Sequence, residues 1–394
     1  MRILQVVPFY YPAEAFGGPV PVVGHISEEL VRRGHEVIVY TTDAIDSSTR
    51  QKARYLEIRG VKVHYFRNWS NSLAWHRLFF APGIVPQLRK EIRTYDVIHL
   101  QDYRTFQNIV VHHYAKKYGI PYVLQAHGSV GAFFQKGFLK RTFDTIWGRR
   151  ILRDASKAIA VTKIEAEQLK NVGVSEDKIK IVPPGIDLSE FENLPQKGEF
   201  RSRYGLNSSQ RIILYLGRIF RIKGLDLLAK AFSRLLGDVS DTQLVFVGPD
   251  DGYLPALKKL VKELRIEEEV LFTGPLYGKE KLEAYVDADV YVLPSSYEIF
   301  GLTVLEACAC GTPVVVTEAC GLADWVDQRA GFKVAHDEHR LQEAIGMLLT
   351  NEELRRQLGD RARELVREQF SWHKAAQQME KIYTELLSSS SAAG

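Results

Sequence analysis

Two glutamates, Glu298 and Glu306, stand eight positions apart in Glu298-Ile-Phe-Gly-Leu-Thr-Val-Leu-Glu306, just after the apolar run at 290–293. The spacing predicts Glu298 on a loop and Glu306 inside a helix that begins near Gly301. Carboxylates held this rigidly can accept hydrogen bonds from sugar or ribose hydroxyls. The N–H groups from Gly301 through Leu302 to Thr303, at the helix start, can meet phosphate or sugar oxygens. The plainer reading makes Glu306 an internal helix residue. Its neighbours Leu302, Val304, Leu305, Ala307 and Ala309 are apolar, however, so an unpaired carboxylate there would be costly and a partner is expected.

A second loaded segment is Gly217-Arg218-Ile-Phe-Arg-Ile-Lys223-Gly224, after the apolar run at 212–216. Arg218 offers a planar fork and Lys223 a point charge just before a helix, an arrangement that favours a diphosphate. Arg and Lys near a helix start are more often surface charges, and only the neighbouring segments raise the functional reading above that. Gly248 and the pair Thr273-Gly274 end two further strands and allow close backbone approach, although such glycines are commonly turns. The strand at 122–125 runs into Ala126-His127-Gly128, which places an imidazole at a strand end. Asp250-Asp251 is the nearest approach to a metal motif and reads as a helix-start or turn pair, so no metal is expected. Cys308, Cys310 and Cys320 lack zinc-site spacing and read as reduced structural thiols.

These residues need strand ends to hold them. The chain supplies a strand at 3–7, a Gly17-Gly18 loop, a helix at 20–33 and a strand at 36–40, a βαβ pattern. Short apolar runs at 97–100, 122–125, 158–161 and 180–182 continue it as a parallel, doubly wound sheet. The pattern stops at Val182-Pro-Pro-Gly-Ile-Asp187 and a polar stretch to Gln210. It restarts with runs at 212–216, 244–247, 270–273, 290–293 and 314–316, separated by helices. Past Gly331 the chain reads as helical. The expected domains are 1–190, joined by a last amphipathic helix at 374–387 that crosses back, and 191–373. Residues 388–394 are expected to form a disordered tail. Two Rossmann-like domains in tandem predict a cleft faced by the carboxyl ends of both sheets.

At this point the chain resembles a known family, the retaining GT-B glycosyltransferases called family 4, whose Glu-x7-Glu motif corresponds to Glu298 and Glu306. The likeness extends through Gly17-Gly18, Arg33-Gly-His-Glu-Val37, Val182-Pro-Pro-Gly-Ile-Asp187, Gly217-Arg218, Lys223-Gly224 and Cys310-Gly-Thr-Pro-Val314. Ile299 stands where the family often has Gly, Ser or Pro, and Cys308 where Met is common. The resemblance implies that Glu306 holds the ribose hydroxyls, Glu298 the donor-sugar hydroxyls, and Arg218 with Lys223 the diphosphate. Phe300 through Thr303 would supply backbone contacts and the base would lie near Gly248, Thr273 and Gly274. His127 would contact the donor sugar, and Gly17 and Gly18 would approach the phosphates or the acceptor. The implied reaction moves a hexose-type sugar from a UDP- or GDP-linked donor to a hydroxyl of a glycan or lipid-linked glycan. The configuration is retained and the departing phosphate takes the acceptor proton, so no cofactor or metal is required. A nucleotide-sugar epimerase or a sugar phosphorylase on the same fold is the alternative.

Composition is ordinary for a globular protein, with 45% hydrophobic and 25% charged residues among 394. Up to Leu194 the chain has 27 Lys and Arg against 19 Asp and Glu, and beyond it 25 against 29. That excess reads equally as scattered solvated charge or as attraction to an anionic surface, and no nucleic-acid partner is expected. Phe133, Phe134, Lys140, Arg141, Arg149 and Arg150 interleave aromatic and cationic side chains. They read either as an amphipathic helix packed on its own sheet or as a peripheral membrane contact. No apolar run reaches the roughly 18 residues of a spanning helix and the first residues do not form a signal peptide, so a cytoplasmic protein, peripheral on the inner membrane face, is expected. The sequons at Asn68 and Asn207 are then chance matches.

Overall fold

The computed structural model describes residues 1–131 and 137–391. The chain divides into two compact units, one of residues 1–185 with 372–394 and the other of residues 186–371.

The first unit holds an eight-stranded sheet: β1 (Arg2–Val6), β2 (Glu36–Thr42), β3 (Tyr55–Ile58), β4 (Val61–Phe66), β5 (Val97–Gln101), β6 (Tyr122–Gln125), β7 (Lys157–Ala160) and β8 (Ile179–Ile181). Their order is β3-β4-β2-β1-β5-β6-β7-β8. All neighbours are parallel except β3 and β4, an antiparallel pair turning at Arg59-Gly60. The central strands are buried almost throughout, including Gln5, His99, Gln101 and Gln125, because helices cover both faces, as parallel sheets require. The β3/β4 pair lies outside the βα alternation read from the sequence. It sits at the sheet edge, where β3 alternates exposed and half-buried residues.

The helix Trp372–Ser391 belongs to this first unit. Ala375, Ala376, Met379, Ile382 and Tyr383 are buried against Ile3, Val23, Val37 and neighbours. Each large side chain so buried contributes about 1.5–3 kcal/mol. Two polar ties fix the helix: Tyr383 Oη lies 2.7 Å from His99 Nδ1, and Glu380 Oε1 lies 2.8 Å from His35 Nε2. Glu380 Oε2 also accepts from Arg33 Nε at 2.7 Å, which gives Arg33-Gly-His35 a structural role. The helix continues through Ser391, a correction to the tail expected from Ser388. Extending a helix that is already nucleated costs little, even for serine.

The second unit holds six parallel strands: β9 (Arg211–Leu216), β10 (Thr242–Val247), β11 (Val270–Gly274), β12 (Val290–Leu293), β13 (Val314–Thr317) and β14 (Gly331–Val334), in the order β11-β10-β9-β12-β13-β14. Strand β14 corrects the helical reading past Gly331. Gly331 lets the edge strand approach β13 closely, since a Cβ there would lie 1.7 Å from the Val314 carbonyl oxygen. Strand order reverses between β9 and β12, the topological switch point at which such sheets bind ligands.

Candidate active site

The loops after β9, β10 and β12 are close-packed at the carboxyl edge of the second sheet, and glycine makes that packing sterically feasible. A Cβ on Gly248 would lie 1.9 Å from the Gly217 carbonyl oxygen, and one on Gly224 would lie 2.0 Å from that of Pro294. Gly224 also adopts φ 67°, a left-handed conformation that glycine accepts without strain. Backbone bonds complete the assembly: Ile219 N–H donates to Pro249 O at 2.9 Å and Ser296 N–H to Ile222 O at 2.9 Å. Buried tyrosines brace it from below. Tyr215 Oη donates to Arg218 O at 2.8 Å, and Tyr291 Oη to Thr303 Oγ1 at 2.6 Å.

The charged residues divide into three pairs. Lys223 Nζ lies 2.5 Å from Glu298 Oε2, joining the loops after β9 and β12 across the switch point. The Glu298 backbone is held in turn by the loop after β13, donating to Ala319 O and accepting from Gly321 N–H. Glu306, in the helix Leu302–Ala309, has the partner its apolar neighbours demanded. Lys281 Nζ lies 3.0 Å from Oε1, and Tyr285 Oη donates to Oε2 at 2.8 Å. Burial first, and the Glu306 charge second, push the Tyr285 hydroxyl well above its ordinary pKa, so it stays a donor. Arg218 turns to the exposed Asp251 at 2.6 Å rather than to Lys223. Asp250 accepts from the N–H groups of Gly252, Tyr253 and Leu254, which is the turn role expected of it.

Phe300 is buried beside Phe370, and Gly301 takes φ 89° where the helix begins. Gly248 N–H donates to Gly274 O at 2.9 Å, which brings Gly248 and Thr273-Gly274 side by side. The second unit thus gathers Glu298, Gly301, Leu302, Thr303 and Glu306 on one side of the switch point, with Lys223, Gly248 and Gly274 on the other.

In the first unit Gly17, Gly18 and His127 lie on loops after β1 and β6, at one edge of the sheet. Gly17 has φ 96°, and a Cβ on either glycine would meet open space. His127 takes φ 51°, sparsely populated for a residue with a side chain and often seen at functional positions. Its Nε2 donates to Gln101 Oε1 at 2.7 Å while Gln101 Nε2 donates to Gln5 Oε1 at 2.8 Å, so Nδ1 remains an acceptor. Burial lowers the His127 pKa to about 4, against an opposing pull from Asp102. Glu165, which the sequence reading overlooked, is fully buried and accepts from Gly128 N–H at 2.5 Å and Val161 N–H at 2.7 Å. Thr162 and Glu165 match a capping-box spacing, but the carboxylate ties two strand-end loops together.

Phe133 and Phe134 lie outside the described residues. Arg141, Arg149 and Arg150 are exposed on the helices Gly137–Phe143 and Arg149–Asp154, which are separated by a π-helical turn at Asp144–Gly148. Lys140 is half-buried in the first of these. The three cysteines are buried and free, and burial raises Cys310 and Cys320 to about 12. Asn68 is buried with its amide donated to Ser70 O, so its sequon is closed to modification in the folded chain. Among the described residues no cluster could hold a metal, and no helix is long and apolar enough to cross a membrane.

Each unit is built on a doubly wound, mainly parallel sheet, and the second holds two carboxylates and a lysine at its switch point. The chain belongs to the family 4, group 1 glycosyltransferases: residues 16–190 match the model "Glycosyltransferase Family 4" and residues 196–365 the model "Glycosyl transferases group 1". It is 30% identical to a D-inositol 3-phosphate glycosyltransferase of Corynebacterium jeikeium, over 94% of this chain and 92% of that one. It is 29% identical to an uncharacterized glycosyltransferase of Methanocaldococcus jannaschii, over 96% and 97%. Among solved structures it is similar to a sucrose-phosphate synthase of Thermosynechococcus elongatus (TM-score 0.78, 24% identity, 98% and 99% covered). It also resembles Anabaena HepE in complex with UDP and glucose (TM-score 0.77, 19% identity, 98% and 100% covered). The fold is GT-B and the protein is a glycosyltransferase.

Proposed function

We propose that this glycosyltransferase moves a hexose from a UDP- or GDP-linked donor to a hydroxyl of a glycan or lipid-linked glycan, with retention of configuration and without a metal. The observation that carries the donor reading is the Lys223–Glu298 contact at the switch point, beside the start of the helix that bears Glu306. Lys223 and Arg218 neutralise the diphosphate as the glycosidic bond breaks, and positive charge at a leaving group is commonly the largest single catalytic contribution. Glu306, oriented by Lys281 and Tyr285, accepts from the ribose hydroxyls. Glu298 accepts from the sugar hydroxyls once the donor has drawn Lys223 away. From the first unit, His127 accepts a sugar hydroxyl at Nδ1, and Gly17 and Gly18 leave room for phosphate or acceptor.

UDP is the first nucleotide to try, because Anabaena HepE was solved with UDP and with UDP-glucose. On the acceptor side the cations Lys140, Arg141, Arg149 and Arg150 meet the inner face of a membrane. Incubation with UDP- and GDP-sugars and candidate acceptors tests the reaction. Nucleoside diphosphate and a glycoside should appear together with the anomeric configuration kept. Conversion of donor alone into its epimer, or a requirement for inorganic phosphate, would replace the reading with an epimerase or a phosphorylase.

A further inference from the structure

The segment after β4 crosses the carboxyl edge of the first sheet as a closed loop tied by buried polar groups. Asn68 is its clasp. Its N–H donates to Asp43 Oδ1 at 2.8 Å, its amide oxygen accepts from Phe80 N–H at 2.9 Å, and Trp69 N–H donates to Phe80 O at 2.9 Å. Asn71 Nδ2 adds a bond to Thr49 O at 2.8 Å, and Ser70 caps the short helix Asn71–Trp75. The guanidinium of Arg77 lies 5.1 and 5.5 Å from the ring centres of Phe9 and Phe16, seating the loop on the core beside Gly17.

This ordered loop points its large apolar side chains outward. Ala74 and Phe79 are buried, whereas Trp69 (76% exposed), Leu73, Trp75, Leu78 and Phe80 face solvent. Soluble proteins rarely hold so many large apolar groups together in water unless something covers them. The charge pattern shows what covers them. Between residues 67 and 80 the loop carries Arg67 and Arg77 and no Asp or Glu, and Arg141, Arg149 and Arg150 are exposed on the helices that follow β6. Tryptophan with arginine, on a loop without carboxylates of its own, is the composition of a surface that meets anionic lipid headgroups and the boundary beneath them.

A second patch lies at the same sheet edge, since β4, β2, β1, β5 and β6 are successively parallel and the loops after β4 and β6 leave from one side. It exposes Phe138, Ile146 and Trp147 beside Arg141, Arg149 and Arg150. The Phe80 and Phe106 rings meet at a tilt, with centres 4.5 Å apart, and Tyr103, which precedes Phe106, meets Phe143 at 6.2 Å.

We infer that the loop of residues 67–80 is a membrane-docking element that seats the first unit on an anionic bilayer, with Trp69, Leu73 and Trp75 at the lipid boundary. The inference deepens the acceptor-side reading above, which gave the membrane contact to residues 140–150 alone, by naming a second element and making it the principal one.

Co-sedimentation with vesicles tests it, using phosphatidylcholine alone and phosphatidylcholine with phosphatidylglycerol. Wild type should pellet with the anionic vesicles and stay largely in solution with the zwitterionic ones. The triple variant Trp69→Ser, Leu73→Ser, Trp75→Ser should partition about tenfold less, because three apolar anchors are lost. Its thermal shift with UDP should match wild type, showing that the fold and the donor site persist. Wild type left in solution with anionic vesicles, or a triple variant that pellets like wild type, overturns the inference. If only Arg149→Glu/Arg150→Glu abolishes pelleting, the earlier reading survives and this one fails. A wild-type dimer that the triple variant converts to monomer in light scattering would assign the patch to a second copy instead and overturn it as well.

Discussion

Lys223 Nζ and Glu298 Oε2 lie 2.5 Å apart, so a cation suited to a diphosphate and a carboxylate suited to a sugar hydroxyl satisfy each other. Both are largely buried, and removing one partner leaves the other charge with reduced solvation and no counter-charge. On the proposed reading, donor binding replaces this pair with two new ones.

Lys223→Ala should therefore lower kcat by about 10²–10³, the effect typical of losing one group that stabilises transition-state charge. Release of nucleoside diphosphate at saturating donor measures it. A loss confined to KM would mean that Lys223 only binds the ground state.

Gly224→Ala should destabilise the second unit. Its Cβ would meet the Pro294 carbonyl oxygen at 2.0 Å in a left-handed backbone, so the loops after β9 and β12 must move apart. A cost of about 1–3 kcal/mol is expected from the backbone strain alone. Calorimetry should show a lower Tm, and activity should fall with it because Lys223 and Glu298 separate. An unchanged Tm would contradict the packing described.

The pH dependence of stability should carry the mark of the buried His99 and the half-buried His127. Burial lowers His127 to about 4 and His99 to about 3. Unfolded histidine titrates near about 6.5, so below that pH the unfolded chain binds more protons than the folded one. Stability should be full above about 6.5 and fall as pH drops toward 4. Tm measured across this range should show the decline, and His127→Asn should make it shallower. A slope unaffected by that change would place the titration elsewhere.

Tyr285→Phe separates orientation from charge at Glu306. The carboxylate keeps Lys281 and loses one hydrogen bond, worth about 0.5–1.5 kcal/mol. Nucleotide Kd should rise by up to about tenfold while kcat changes little.

Much of this site was legible because its parts are local. The loop position of Glu298, the helix start after Gly301 and the strand end before His127 follow from patterns a few residues long. The need for a partner at Glu306 was legible from its apolar neighbours, but its identity was not: Lys281 and Tyr285 come from a different helix, Gly278–Asp287. Tyr215 and Tyr291 sit inside apolar strand runs and look like core residues until their hydroxyls are seen at the loops. The pairing of Arg218 with Asp251 was likewise invisible, since it depends on how the loop after β10 folds back on the loop after β9. Strand β14 was lost because Lys333 interrupts a four-residue run. The sequence reading made nothing of the loop after β4, because the exposure of its apolar residues is fixed by the tertiary fold and not by their local pattern.

The central claim is that Glu306 holds the nucleotide and Glu298 serves the sugar. Calorimetric titration of UDP, GDP and the matching UDP- and GDP-sugars into wild type, Glu306→Ala and Glu298→Ala tests it most directly. The account predicts that one nucleotide binds wild type, that Glu306→Ala weakens it, and that Glu298→Ala binds it nearly as wild type while losing transfer. Equal loss of nucleotide affinity in both variants, or no nucleotide binding by wild type, would contradict it.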